Sequence, residues 1–240
     1  MAIATGMSVL LISHINTTQM LDFAESNWLL LLFFALGFIL PRIPVVGKFC
    51  NVINTALHEF GHALMALITG GSVDKIELFN DTSGTTTTKS NSKFGAFLVS
   101  LAGYPFAASV AWLAFYLIGQ GAEKGLVIGL TALFVLMLLF WIRNWYGVVW
   151  VVLFSAVNGV LLYYGEASYL HYAALFYAAV VLAESISSSI TIVVLAFRDG
   201  NKAGDATNLA KLTHLPAFLW ALLFLAYTGW VSYRMVLMLL

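Results

Sequence analysis

The stretch NTALHEFGHALMALITGGSVDKIEL, residues 54–78, joins a helix-forming segment, a Gly-Gly pair and a segment that alternates apolar and polar residues. The first part is apolar enough to enter a membrane, yet it contains two histidines and a glutamate. Ionisable groups in hydrocarbon are costly, and a membrane segment that keeps them generally uses them. The stretch therefore predicts a functional membrane helix, followed after the glycines by a strand.

The composition of the whole chain indicates a polytopic membrane protein. Of its 240 residues, 61% are hydrophobic and 9% are charged, whereas soluble domains carry about 25% charged residues. The mean hydropathy is +0.93. The formal net charge is zero, so no basic surface suggests a nucleic-acid partner. The single cysteine, Cys50, excludes an internal disulfide and a CxxC metal site.

Apolar runs of about 20 residues predict the membrane helices. The expected fold is all-α, with about six to seven transmembrane helices in one domain over residues 1–240, a β-hairpin insertion at about 71–92 and a polar loop at about 198–214. Residues 1–13 are apolar without a charged start, which favours a short or interfacial first helix over a cleaved signal peptide. The predicted spans are 27–41, 45–69, 94–119, 125–141, 147–164, 169–197 and 215–238.

The basic residues outside the spans predict the orientation. If the spans alternate, seven Lys and Arg residues fall on the side of the hairpin and four on the other side. Cytoplasmic loops carry the excess of Lys and Arg, so we expect the hairpin side in the cytoplasm and the protein in the cell (inner) membrane. The hairpin side carries Lys75, Lys89, Lys93, Arg143, Arg198, Lys202 and Lys211, and the other side carries Arg42, Lys48, Lys124 and Arg234.

His58, Glu59 and His62 form the motif HExxH, which predicts a metal site. Residues i and i+4 of a helix share a face, so both imidazoles can reach one ion. Zinc suits two imidazoles and one carboxylate with a water in the fourth position, and such a site lowers the pKa of the water. Glu59 projects about 100° round the helix from His58. It is the expected general base and acid for hydrolysis of a peptide bond.

Two asparagines extend the polar face of the motif helix. Asn54 lies one turn before His58, and Asn51 lies close to the same line. A polar stripe of this kind is expected to face the interior of a helix bundle or a wet cavity instead of lipid. A buried polar cluster without a metal would also produce the stripe, but it would leave Glu59 unpaired in the membrane at considerable cost.

Two carboxylates are candidates for a third metal ligand. Asp205 lies in the polar loop, on the same side as the C-terminal end of the motif helix, and it is equally suited to be the N-cap of a short helix over GDATNLAKL. Glu184 lies within a predicted span, beside Ser187 and Ser188, where an interhelical hydrogen bond is the alternative role. The residues alone leave both carboxylates open as ligands.

The chain resembles the site-2 protease family of intramembrane zinc metallopeptidases, and within it the short B-type branch. The segments that carry the resemblance are HEFGHALMALITGGSVDKIEL, LAGYPFAA, RNWYG and GDATNLAKLTHLPAFLW, which together cover most of residues 52–222. The resemblance implies Zn²⁺, with His58 and His62 as ligands, Glu59 as the catalytic residue and an Asp as third ligand. Better-known members carry that Asp in an Asn-Pro-Asp-Gly or Leu-Asp-Gly motif. This chain has neither motif, and Asp205 is the nearest candidate by context.

Two hypotheses for the function follow. The first is an intramembrane zinc metalloendopeptidase, with the lipid bilayer and a membrane-anchored protein or peptide substrate as its partners. A strand edge, either VDKIELF or the Thr run, would hold the unwound substrate by β-augmentation. The alternative is a non-catalytic metal-binding membrane protein, either a metal carrier or transporter or an inactive protease homologue that acts as a binding partner. A transporter would place further ligands across the bilayer, for which the chain offers only Glu184, His171 and His214.

Overall fold

The structure is a computed structural model that describes residues 28–239. Within that range it confirms the predicted all-α fold with a hairpin directly after the motif helix. The predicted first helix over residues 1–13 lies outside the described residues. The helices are α1 Trp28–Ile39, α2 Val46–Ile68, α3 Lys93–Gly119, α4 Glu123–Phe140, α5 Trp145–Tyr164, α6 Ala167–Arg198, α7 Gly204–Thr213 and α8 Ala217–Leu239, and the strands are β1 Ser72–Leu78 and β2 Gly84–Lys89.

Five of the described helices, α3, α4, α5, α6 and α8, are long and apolar enough to cross a membrane. The structure differs from the sequence prediction at α1 and α2, which are expected as two separate spans. They form a pair bent by 106° that adds one span at most, giving five or six against the expected six to seven. Pro41 and Pro44 explain the bend, because proline lacks the N–H that a helix needs and disfavours helical geometry in the residue before it. Val45, which follows them, has a φ of 73°.

The motif helix α2 lies inside the bundle. It packs mainly against α3, and it also contacts α6 and both strands of the hairpin. The long helix α6 contacts α1, α3, α4 and α8 and so forms the centre of the bundle. Fully buried side chains such as Phe115, Phe134 and Phe154 fill the space between the helices. The polar stripe of α2 consequently faces protein, as the cost of charge in hydrocarbon requires.

The hairpin occupies residues 72–89, within the predicted range of about 71–92. Its strands pair antiparallel. In the turn, Asp81 Oδ1 accepts hydrogen bonds from the Ser83 hydroxyl at 2.6 Å and from the Ser83 N–H at 3.1 Å. These bonds favour the ionised carboxylate and lower the pKa of Asp81 below its ordinary value. The turn is therefore closed by its own side chains.

The turn between α4 and α5 covers the outer edge of β1. The Ile76 N–H donates to Trp141 O at 2.8 Å, and the Arg143 N–H donates to Ile76 O at 3.2 Å. The Asn144 side chain continues this pairing, because its Oδ1 accepts from the Leu78 N–H at 3.1 Å and its Nδ2 donates to Leu78 O. The RNWYG segment thus anchors the hairpin. The outer edge of β2 has no backbone partner among the described residues.

Candidate metal centre

The side chains of two histidines from one helix and of one aspartate from another helix converge on one point. His58 and His62 lie one turn apart in α2, and Asp205 lies in the first turn of α7. The two Nε2 atoms are 3.0 Å apart, and each is 3.2 Å from Asp205 Oδ2. In the described part of the chain, this is the one group of three such residues whose ligand atoms all lie within 4.8 Å of one another.

The spacing of these three atoms fits a zinc ion. Tetrahedral zinc with bonds of about 2.0–2.1 Å holds neighbouring ligand atoms about 3.3 Å apart. The separations of 3.0 and 3.2 Å agree with that value to within a few tenths of an ångström. A proton shared between the imidazoles and the carboxylate can bridge these atoms, and a bound zinc ion would take the place of that proton. Two imidazoles and one carboxylate also form a donor set that zinc prefers.

Helix α3 orients both imidazoles. His62 Nδ1 lies 2.7 Å from Val99 O. A carbonyl only accepts, so Nδ1 carries the proton and Nε2 directs its lone pair at the centre. The ring of His58 lies edge-on to the ring of Tyr104, with 4.7 Å between the centroids. These contacts hold the two rings ready for a metal, because partners behind the ligands fix ring orientation and tautomer.

The loop before α7 places the Asp205 carboxylate. The sequence leaves an N-cap role open for this residue, but the structure has Ala203 at the N-cap, without a side-chain capping bond. The Thr207 hydroxyl closes the loop, because it accepts from the Ala203 N–H at 2.9 Å and donates to Gly200 O at 2.6 Å. Burial raises the pKa of Asp205, but the two imidazoles beside it outweigh that effect and lower it well below the ordinary value. The carboxylate is thus ionised, as a metal ligand must be.

Glu184, the other candidate ligand, lies away from this centre. Its Oε1 is 3.8 Å from Arg42 Nη1 at the α1–α2 bend. Arg42 Nη2 also donates to Ser187 Oγ at 2.9 Å. Glu184 does not belong to the group around His58. Of the two carboxylates, Asp205 is therefore the one that the fold brings to the imidazoles.

Glu59 belongs to α2, and its side chain lies between that helix and the hairpin. It is 5% exposed. The Thr86 hydroxyl of β2 donates to Glu59 Oε2 at 2.7 Å. Gly84 lies equally close, since a Cβ added there would be 2.7 Å from Glu59 Cγ. The Thr run is recognisable in the sequence as a strand, but the register that aims Thr86 at Glu59 leaves no signal in the sequence.

One known family accounts for this combination of fold and site. The family model described as Peptidase M50B-like matches residues 28–234. The chain belongs to this family. It is the site-2 protease family that the sequence resembles, and the matched region contains the candidate metal centre, Glu59 and the hairpin. No curated protein and no solved structure matches the chain.

In this M50B-like protein, Gly103 of α3 leaves space for the two imidazole rings. A Cβ at this position would lie 2.5 Å from His58 Cε1 and 2.7 Å from His62 Nε2. The structure has one continuous helix α3 with Pro105 inside it. Gly103 is required because the two imidazoles approach it closely, and any side chain at this position would occupy the candidate metal centre.

Replacing Gly103 with alanine is expected to displace the two rings and to weaken zinc binding. We expect a loss of about 10- to 100-fold in affinity, the size found when the groups that orient metal ligands are disturbed. Competition with a chromophoric chelator in detergent measures the affinity. Gly129→Ala in α4 is the matched control, since nothing lies within 4 Å of its added Cβ. Equal zinc affinity in the two variants would contradict this account of Gly103.

Proposed function

We propose that this protein is an intramembrane zinc metalloendopeptidase that hydrolyses peptide bonds in membrane-anchored protein or peptide substrates. The observation that carries the proposal is the convergence of His58, His62 and Asp205, with Glu59 next to His58 in the same helix turn. These three residues would hold the ion. Zinc bound there would supply a water of lowered pKa and a Lewis acid for the scissile carbonyl.

Glu59 would move the proton in this reaction. Its carboxylate accepts the proton of the attacking water as the C–O bond forms, and it returns the proton to the leaving amine as the C–N bond breaks. Atoms and charge balance, because one water is consumed and a carboxylic acid and an amine are released. The 5% exposure of Glu59 supports the role, since a site that excludes bulk water strengthens every electrostatic interaction inside it.

The hairpin favours the hypothesis that the substrate binds as an extended strand. The sequence offers two edges, VDKIELF and the Thr run. The backbone from Trp141 to Arg143 occupies the first, so the proposal rests on β2. A substrate helix must unwind before its amide is accessible, and an unwound segment can add to a free strand edge. Such a segment on β2 would lie close to Glu59, because Thr86 of the same strand contacts that carboxylate.

The other groups that a metal carrier would use lie apart from the candidate centre. A carrier needs ligands staggered across the bilayer. Glu184 is paired with Arg42, and His171 Nδ1 lies 2.8 Å from Glu123 Oε1. His214 is the exposed residue that ends α7 in a left-handed conformation. None of these extends the centre into a path within the described residues, so the endopeptidase is the better proposal.

The proposal includes the orientation of the protein in the membrane. We place the hairpin and the loop that carries Asp205 in the cytoplasm, with the protein in the inner membrane, because basic residues are in excess on that side. Arg42, counted on the opposite side in the sequence, pairs with Glu184 in the middle of α6.

Cleavage by the reconstituted protein is expected to require zinc. The assay uses purified protein in liposomes with a fluorescently labelled single-span peptide. A chelator should stop cleavage, and one equivalent of zinc should restore it, because the ion supplies the activated water. Cleavage that persists in metal-free protein would overturn the mechanism. Tightly bound zinc without cleavage of a panel of single-span peptides would favour the non-catalytic alternative.

A further inference from the structure

Two hydroxyl groups fasten the β2 end of the hairpin to the motif helix. The Thr55 hydroxyl of α2 donates to Thr82 O in the hairpin turn at 2.7 Å. One helical turn further on, the Thr86 hydroxyl of β2 reaches the carboxylate of Glu59 at 2.7 Å. Thr86 Oγ1 also lies 3.0 Å from Glu59 O. The strand is thus attached to the helix face that carries the catalytic carboxylate.

The Glu59 carboxylate has one side-chain hydrogen-bond partner among the described residues, and that partner is Thr86. A glutamate has three side-chain torsions, and each one that is left free lowers the fraction of time that the carboxylate spends in a productive position. A hydroxyl that donates to a charged acceptor makes one of the stronger kinds of hydrogen bond. Gly84 leaves space beside the other oxygen, because a Cβ added at this position would lie 2.8 Å from Glu59 Oε1.

The hydroxyl of Thr86 is itself held by a rigid frame. Thr86 pairs with Ile76 across the hairpin. Ile76 is fully buried, and its backbone bonds to Trp141 and Arg143 on the other side. A continuous backbone connection therefore runs from the α4–α5 turn through β1 and β2 to the hydroxyl. This places the hydroxyl far more firmly than a side chain on an isolated ribbon would be placed.

We propose that Thr86 is a positioning residue, which holds the Glu59 carboxylate in the orientation needed for proton transfer. The inference rests on the proposed endopeptidase function and assigns the hairpin a second task besides binding substrate. Thr86 acts through Glu59 and does not touch the metal ligands. Removing its hydroxyl therefore slows the chemical step and leaves zinc affinity and substrate affinity unchanged.

The test is a kinetic comparison of Thr86→Val and Thr86→Ser with the wild type in liposomes. Valine keeps the β-branched shape that suits a strand but lacks the hydroxyl. We expect kcat to fall about 10- to 100-fold, which is the cost of a misplaced catalytic group, with KM and zinc content unchanged. Serine should restore most of kcat. Thr131→Val is the matched control, because its hydroxyl bonds to Val127 O of its own helix α4, outside the site.

Each outcome either supports or overturns the role of Thr86. A rise in KM with constant kcat in Thr86→Val would make the residue part of substrate binding instead. Equal kcat in Thr86→Val and Thr131→Val, with Glu59→Gln inactive, would refute the positioning role and leave the protease intact. If the wild type itself cleaves nothing, the proposed endopeptidase function is overturned, and the role of Thr86 is overturned with it. The Glu59→Asp variant has a shorter side chain, which does not reach the Thr86 hydroxyl. Adding Thr86→Val to that variant should therefore cause no further loss of kcat.

Discussion

Glu59→Gln is expected to stop peptide-bond cleavage and to leave zinc bound. Glutamine has nearly the same size and can still accept a hydrogen bond from Thr86 through its carbonyl oxygen. It cannot take up a proton from water or return one to the leaving amine. General acid–base catalysis contributes about 10²- to 10⁴-fold, so we expect kcat to fall by about that factor. His58 and His62 keep their positions, and the zinc content of the purified variant should equal that of the wild type.

Glu184→Gln is the control for this experiment. It also removes one carboxylate from the membrane part of the chain, but Glu184 pairs with Arg42 and lies outside the metal centre. The Glu184 variant should retain both zinc and cleavage. Full activity in Glu59→Gln would remove Glu59 from the mechanism. Loss of zinc in Glu59→Gln would show that Glu59 supports the ligands instead of moving a proton.

Asp205→Ala is expected to lose both zinc and cleavage. Asp205 Oδ2 is the third corner of the triangle formed with His58 Nε2 and His62 Nε2. Removing it leaves two imidazoles, too few to hold the ion against competing chelators. Disturbing the groups behind metal ligands costs about 10- to 100-fold in affinity, and we expect removal of a ligand to cost more than about 100-fold. Titration with a competing chelator measures this loss directly.

Asp199→Ala controls for changes in the polar loop. Asp199 lies six residues before Asp205, is half-buried, and pairs with Lys202 at 3.3 Å outside the group around His58. Its removal should leave zinc affinity unchanged. Wild-type zinc affinity in Asp205→Ala would contradict the ligand role. The predicted metal would then need another third ligand.

Sequence reasoning succeeds where the signal is local. The i, i+4 spacing of His58 and His62 places both rings on one helix face, whatever surrounds that helix. The Gly-Gly pair and the alternating segment likewise predict the hairpin close to its observed bounds. Composition and run length predict five of the membrane helices, because the hydrocarbon thickness sets the length of an apolar run.

The same reasoning fails where the answer depends on how distant segments meet. The apolar runs of α1 and α2 look like two spans, since hydropathy does not register the 106° bend at the prolines. The choice between Asp205 and Glu184 depends on how α6 and α7 pack around the motif helix, and nothing near either residue in the sequence determines that. Gly103 and Thr86 act through contacts across helices and strands. A single sequence contains no pattern for such contacts.

His58, His62 and Asp205 are expected to bind one zinc ion together. X-ray absorption at the zinc edge of the purified, zinc-loaded protein tests it most directly, with Asp205→Ala measured beside the wild type. We expect two imidazole nitrogens and carboxylate or water oxygens at about 2.0–2.2 Å from zinc in the wild type, and a loss of the bound zinc in the variant. Zinc held by the sulfur of Cys50, or an unchanged spectrum in Asp205→Ala, would contradict it.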